Sequence, residues 1–456
     1  MSGDPDLVTT LWRDLLIVPM DGPRHAPLGE VRRADLAIAG DRITGIGALA
    51  PRPGDRVRDG CGKVALPGFV QGHVHFCQTL FRGLADDLPL LDWLRERIWP
   101  LEAAHDADSV RASAELSVAE LLRGGTTSVQ AIETVRFTEE TFAVCGRVGL
   151  TAIAGNSLMD VFEPGVPDAL PCDAREALRI SEELCDAWHG EGRLAYAITP
   201  RFVLSCTDRL ARDAAEFARA RGLRVHTHAC EHEAELAAVH ARFGAGYLAT
   251  LDAQGLLGPR SSLAHCVHVT GRERALLEAS GASVLHCPSA NQKLGSGIAP
   301  IASYQTAGVR IALGADGAPC NNRLSALTEL RQAALLQALA AGPGAWKAEH
   351  ALAALTCGAA DALGLGDVGR LVPGKRADLV VLDLRDARLG VHRSERGEDV
   401  VSRVVWAADE AAIDTVLLGG KEVVRGGALL ECDLGSIAAR AQGALARVLT
   451  RAGLAR

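Results

Sequence analysis

The chain lacks several things, and each absence removes a class of answer. It has no surplus of positive charge: 48 Lys and Arg against 56 Asp and Glu give a net charge of -8 and a pI near 6.0. The arginines are scattered among acids, so no basic stripe is offered to nucleic acid. There is no run of about 18 apolar residues, which excludes a membrane-spanning helix. The opening Met1-Ser-Gly-Asp-Pro-Asp6 lacks the charged and apolar regions of a secretion signal, so a cytoplasmic location is expected. No Cys-x-x-Cys occurs among the 12 cysteines, which sit singly from Cys61 to Cys432 and read as reduced, buried thiols. No linker, low-complexity segment or long-period repeat divides the chain.

What is present is a soluble composition, 456 residues that are 48% hydrophobic and 23% charged, enough for a large core. Residues 7 to 65 read as short strands and turns, with Gly40-Asp41 turning between alternating segments. From Val64 the pattern becomes apolar strands separated by Ala/Leu/Glu/Arg-rich helices, the alternation of parallel βα units. Eight strand candidates follow: Val64 to His75, Thr126 to Glu133, Leu150 to Ser157, Arg193 to Phe202, Gly222 to Glu231, Ser261 to Val269, Ala282 to Asn291 and Arg310 to Gly317. After Gly366 short strands return (Ala377 to Asp383, Val401 to Trp406, Thr415 to Leu418, Glu422 to Val424), and a helix from Ile437 to Arg451 closes the chain. The expected fold class is α/β. Residues 66-365 form a metal-dependent (β/α)8 TIM barrel, and residues 1-65 and 366-456 join in a composite β-sandwich. The active site of such a barrel lies at the C-terminal ends of its strands.

Those ends carry the chemistry. His73 and His75 lie two apart on the first strand, so both imidazoles face one point. The fifth strand ends His226-Thr-His-Ala-Cys-Glu231, the sixth Leu263-Ala-His-Cys-Val-His268, the seventh Leu285-His-Cys-Pro288 and the eighth Leu313-Gly-Ala-Asp-Gly317. Two histidines from the first strand, one from the fifth and the aspartate of the eighth make a nitrogen and oxygen set for one divalent metal, Zn2+ or Fe2+, with a position left for water.

On Leu66-Pro-Gly-Phe-Val-Gln-Gly-His-Val-His75, Thr79-Leu-Phe-Arg-Gly83, Leu88-Pro-Leu-Leu-Asp-Trp93, His226-Thr-His-Ala-Cys-Glu231, Ala264-His-Cys-Val-His268, Asn291 to Pro300, Gly314-Ala-Asp-Gly317 and Gly369 to Leu379, the sequence resembles the amidohydrolase superfamily. Within it, the sequence looks like the aminohydrolase branch of purine, adenosine-type and triazine deaminases. The resemblance implies hydrolysis of C–N bonds of cyclic amidines, one catalytic metal with zinc preferred, and a homodimer or higher homo-oligomer acting on a small heterocyclic amine. It implies that His73, His75, His228 and Asp316 are the metal ligands. Glu231 is the acid/base that protonates a ring nitrogen, His265 orients the water and stabilises developing charge, and Asp316 also takes a proton from the water. His226 is left as support and His268 as a wall residue. Binuclear members bridge two metals with a carboxylated lysine, and no lysine lies between Lys63 and Lys293, which favours single-metal deaminase chemistry.

For the substrate, Glu102 in Trp99-Pro-Leu-Glu102 matches a position that accepts ribose hydroxyls, whereas Gln78 and Arg201 match the pair that holds the amide face of guanine. Arg201 stands where S-adenosylhomocysteine deaminases have histidine, and Asn156 replaces an arginine of theirs. Trp93 is a candidate cover for the substrate. Cys77, Cys230, Cys266, Cys287 and Cys320 flank the motifs and read as small core thiols, and Lys293 as a loop tie. The expected substrate is a 5'-modified adenosine, followed by guanine or a related aminopurine or pterin, then an s-triazine. The reading of a different class is a non-catalytic assembly protein of the same architecture.

Overall fold

A computed structural model describes residues 9–391 and 393–455; the first eight residues of the 1-65 segment, with His392 and Arg456, lie outside the described residues. Five strands open the chain: β1 (Thr9–Ile17), β2 (Arg32–Ala39), β3 (Arg42–Gly47), β4 (Arg56–Asp59) and β5 (Lys63–Pro67). The central strands are β6 (Phe69–His75), β7 (Thr126–Glu133), β8 (Thr151–Leu158), β9 (Leu194–Pro200), β10 (Arg224–Ala229), β11 (Ser261–His265), β12 (Ser283–His286), β13 (Arg310–Leu313) and the short β14 (Asp316–Gly317). Last come β15 (Leu379–Asp383), β16 (Ile413–Leu418), β17 (Lys421–Arg425) and β18 (Ala428–Leu429).

The two flanks meet in one nine-stranded mixed sheet of order β18-β17-β16-β15-β5-β1-β2-β3, with β4 against β1. β15 runs antiparallel to β5, and β5 parallel to β1. Both faces of this sheet are apolar, and strand alternation sorts them. Ile17, Ala65, Leu379, Val381 and Leu417 pack with Trp12 and Leu36 in one cluster. Their neighbours Leu16, Val64, Leu66, Val380, Leu382 and Val416 face the other way, into the main core shared with the barrel.

In the second sheet β6 to β13 lie side by side in chain order, all parallel, and β14 pairs with β6, so the eighth strand closes the barrel on the first. The closure is tight at Gly314, where a Cβ would lie 2.5 Å from the carbonyl oxygen of His73. Val70, Ile153, Ala197, Ala264, Leu285 and Ala312 fill the lumen with Ala359, Ala360, Ala362 and Leu363 of the helix Cys357–Leu363. That apolar plug leaves the C-terminal strand ends as the polar mouth. Among the described residues no helix is long and apolar enough to cross a membrane.

Two elements differ from the sequence reading. The run from Val64 to His75 is two strands, because the chain changes sheet at Gly68: Lys63–Pro67 belongs to the flanking sheet and Phe69–His75 to the barrel. Gly68 is required there, since a Cβ would come 2.2 Å from Thr127 Oγ1. Val401 to Trp406 is not a strand but part of the helix Gly397–Ala407. Its β-branched composition suggested a strand, yet Val400, Val401, Val404 and Val405 are spaced for one helical face, and all are buried.

Candidate metal centre and active site

Gln71 prepares the mouth of the barrel. It lies one turn of the pleat below His73, and its Oε1 accepts the Ala315 N–H at 3.0 Å while its Nε2 donates to Leu324 O at 2.9 Å, which fixes the eighth strand against the first. The side chains that follow do not obey simple strand alternation. Asp316 (φ 64°), His265 (φ 74°), Cys230 (φ 53°) and Cys266 (φ 48°) all adopt left-handed backbone. Such conformations cost roughly 1–3 kcal/mol each in a non-glycine residue and gather at functional sites. Here they turn the Asp316, His265 and Glu231 side chains toward a common centre.

Four donors converge there. His75 Nε2 lies 3.1 Å from Asp316 Oδ1 and 3.2 Å from His228 Nε2, and His73 Nε2 lies 3.3 Å from Asp316 Oδ1. All four ligand atoms fall within 4.8 Å of one another. Donors set tetrahedrally at the usual Zn–N distance are roughly 3.3 Å apart. The hydrogen bonds behind the rings decide what faces inward. His75 Nδ1 donates to Ile132 O and His228 Nδ1 to Arg201 O, each at 2.6 Å. A carbonyl only accepts, so in the neutral imidazoles both Nε2 atoms are lone pairs. Two lone pairs facing each other beside a carboxylate repel unless a cation lies between them. His73 Nε2, buried without a hydrogen-bond partner, points into the same space, and His226 Nε2 backs its Nδ1 at 2.9 Å. The donor set therefore fits a divalent ion, with each imidazole anchored from behind.

The electrostatics favour the neutral form at His73, His226 and His228, whereas at His75 burial opposes the charge but the neighbouring Asp316 outweighs it and raises the imidazole above its ordinary value. Burial pushes His73 down to about 4 and holds His228 and His226 well below the ordinary histidine value. Burial also opposes the Asp316 charge, but the adjacent His73 and His75 rings outweigh it and hold that carboxyl well below its usual range. Glu231 goes the other way. Burial first, then the neighbouring Asp316 and Glu235, push its carboxyl well above the ordinary value, which favours the protonated form. His265 Nε2 lies 3.5 Å from Glu231 Oε2, and its Nδ1 lies 2.9 Å from Asn291 Oδ1.

A cavity of about 30 Å³ adjoins these groups, lined by Gln78, Leu90, Trp93, Leu94, Arg201, Phe202 and Leu294 beside His75, His228, Glu231, His265 and Asp316. Gln78, Trp93 and Arg201 thus reach the cavity wall. Glu102 stands behind that wall, its Oε1 accepting Gln78 Nε2 at 2.8 Å and Arg201 Nη2 at 2.9 Å, its Oε2 accepting Arg201 Nη1. The segment carrying Trp93 and Glu102 contains a π-helical turn, Leu94–Ile98, a feature frequent near sites. Asn156 faces away and accepts the Tyr196 hydroxyl at 2.8 Å. His268 approaches Ser296 O at 2.6 Å, and Lys293 ties Pro319 O, Asp86 and Asn322 together.

Three supports escaped the sequence reading. Glu235 accepts the Glu231 N–H at 3.0 Å and the Tyr247 hydroxyl at 2.7 Å, and that hydroxyl also lies 3.1 Å from His228 O. Glu133, at the end of β7, accepts the Phe76 and Cys77 N–H groups, both at 3.0 Å, and so fixes the chain just beyond His75. Glu235 lies four residues after Glu231 in a first helical turn, where an acid reads as solvated. Only its burial, at 1% exposure, distinguishes it.

Comparison with known proteins gives a single family. The Amidohydrolase family model matches residues 64–423. A 5-methylthioadenosine/S-adenosylhomocysteine deaminase of Pelotomaculum thermopropionicum is 34% identical over 98% of this chain and 100% of its own. A 5'-deoxyadenosine deaminase of Methanothermobacter thermautotrophicus is 35% identical over 90% of this chain and 93% of its own. The crystal structure of an adenosine deaminase from Xanthomonas campestris, with bound zinc, superposes with a TM-score of 0.88 at 31% identity, covering 98% of this chain and 100% of that one. A family model matched over most of the length, and relatives aligned nearly end to end, show that this chain belongs to the amidohydrolase family.

Proposed function

We propose that the chain is a zinc-dependent hydrolytic deaminase that releases ammonia from an amino-substituted nitrogen heterocycle, with a 5'-modified adenosine as substrate. The observation that carries this reading is the pairing of a three-imidazole, one-carboxylate centre with a buried carboxyl, Glu231, held 3.5 Å from His265 and pushed toward its protonated form. Relatives named as deaminases of 5'-deoxyadenosine and 5-methylthioadenosine support the choice of substrate.

The geometry supports the following roles. His73, His75, His228 and Asp316 would hold the ion, which supplies Lewis acidity and brings the pKa of a bound water near 7. Glu231 donates its proton to the ring nitrogen beside the carbon bearing the amine, making that carbon electrophilic. Asp316 accepts the proton of the attacking water through Oδ2, the oxygen turned toward His265. His265, with its Nδ1 proton held by Asn291, presents the Nε2 lone pair that orients the water. Protons moving through Glu231 and Asp316 reach the amino group, which leaves as ammonia. A cavity of about 30 Å³ is smaller than a purine, so binding requires the cavity to widen.

A specific observation favours a second reading, a guanine-type aminopurine. Glu102 is occupied by Arg201 and Gln78, and Gln78 Oε1 is buried at the wall without a partner. A ring N–H would satisfy that oxygen. Ammonia release by the zinc-loaded protein from adenosine, 5'-deoxyadenosine, 5'-methylthioadenosine, S-adenosylhomocysteine and guanine separates the readings. The highest kcat/KM is expected for a 5'-modified adenosine, and a protein inert toward every compound would remove the proposal.

A further inference from the structure

Beside the proposed metal centre lies a second group of donors, two of which the reaction uses while the third, the Cys287 thiol, is left uncommitted. His265 Nδ1 donates to Asn291 Oδ1, so Nε2 carries a lone pair, and that atom is buried without a hydrogen-bond partner. It lies 3.8 Å from Asp316 Oδ2. Cys287, fully buried just past the end of β12, has only a long 3.7 Å approach to Leu285 O. The donor atoms of His265, Cys287 and Asp316 all lie within 4.8 Å of one another. Thiolate and imidazole are the ligands that soft and borderline divalent ions select, and a carboxylate oxygen can complete a zinc site.

We propose that His265, Cys287 and Asp316 form a second, thiophilic cation site next to the first, and that a Zn2+ or Cd2+ ion bound there shuts the enzyme off. Asp316 serves both centres, with Oδ1 beside His73 and His75 and Oδ2 toward His265, so no bridging lysine is needed. Binding breaks the Cys287 S–H bond: the sulfur electron pair goes to the ion and the proton leaves to the buffer. His265 gives its lone pair and Asp316 an existing negative charge, so one proton is released per ion. The inhibitory half rests on the proposed deaminase reading, because the second ion takes the His265 lone pair and the Asp316 oxygen that the reaction uses. Occupancy of the site does not rest on it.

The test is a Cd2+ titration of protein already loaded with one equivalent of zinc. Bound metal per chain, thiolate-to-cadmium charge-transfer absorption, proton release and ammonia release are read together. The first centre contains no sulfur, so the absorption reports the second centre. Expected are a second equivalent of metal, absorption saturating with it, one proton released, and ammonia release reduced at least tenfold and restored by chelator. Cys287→Ala and Cys287→Ser should each still take up the first zinc but lose the absorption and the second equivalent. A wild-type protein that stops at one metal per chain, or absorption that persists in both variants, overturns the site. Ammonia release unchanged at full second occupancy overturns the inhibition. A second equivalent bound by protein inert toward every heterocycle would sustain the site and sink the deaminase reading instead.

Discussion

Replacing Glu102 by Ala tests whether the wall of the substrate cavity is built on a buried ion pair. The Glu102 side chain is 0% exposed and that of Arg201 4%, and both carboxylate oxygens are engaged by the guanidinium. Burial opposes the Glu102 charge, but Arg201 outweighs it and holds the carboxyl below its ordinary value. Truncation to Ala would leave the guanidinium buried without a counter-charge, which costs about 3–5 kcal/mol. At a typical unfolding entropy per residue, a chain of 456 residues changes stability by roughly 1 kcal/mol per degree, so Tm should fall about 3–5 °C. Because the folded carboxyl is the stronger acid, this contribution is present above the unfolded Glu pKa and fades as pH falls through the folded one. Thermal and urea unfolding of metal-loaded protein measure the loss. Removing both charges, Glu102→Leu with Arg201→Met, should recover most of it, since well-packed apolar pairs often replace buried ion pairs without penalty. A loss below about 1 kcal/mol for Glu102→Ala, the value of an exposed pair, would refute the reasoning and return Glu102 to the role of a free substrate contact.

Three further outcomes are expected. Glu231→Gln should keep one equivalent of metal but lose ammonia release by about 10²–10⁴-fold, the usual contribution of a positioned proton donor; retained turnover removes Glu231 from the mechanism. Replacing His226 by Phe should leave the fold intact yet weaken metal affinity about 10–100-fold, measured by competition with a chelator, because His73 loses its backing partner at 2.9 Å. Burial pushes Glu133 up to about 7, so the folded state holds a proton that the unfolded state releases near pH 4.5. Stability from this group is therefore complete below the unfolded pKa and is lost as pH rises toward 7. Relative to Glu133→Gln, the wild type should lose up to about 3 kcal/mol over that interval, and a pH-independent difference in urea midpoints would contradict it.

Much of this molecule was legible because two periodicities coincide with function. The apolar strands repeat with helices between them, and the residue types that bind metals fall at strand ends rather than at random, so His73, His75, His228 and Asp316 stood out before any coordinates. Where the reading slipped, a local signal was overridden by tertiary context. Val64 to His75 reads as one strand, but Gly68 within it is the point where the chain crosses between sheets. The valines of Gly397–Ala407 have the composition of a strand and the spacing of a helix, and the spacing prevailed.

Side-chain direction was the least legible property, for a reason visible in the backbone. Strand alternation holds only while φ stays extended, and it fails at Cys230, His265, Cys266 and Asp316, the residues that aim the proposed catalytic groups. Their left-handed turns are held by neighbours distant in sequence, Cys266 N–H reaching Ala229 O at 2.9 Å and Val267 N–H reaching Cys230 O at 2.9 Å, and by a local contact in which Glu235 accepts the Glu231 N–H at 3.0 Å. Glu102 shows the same limit. A carboxylate near a helix start can meet solvent, a ribose or an arginine, and only the approach of Arg201 from 99 residues away decides among them. Sequence pattern thus pointed to His73, His75, His228 and Asp316, which gather at the mouth of the barrel, but not to Glu235 or Tyr247 behind them. Which of them face the cavity, and which stand behind others, is set by hydrogen bonds between strand ends that no local pattern encodes.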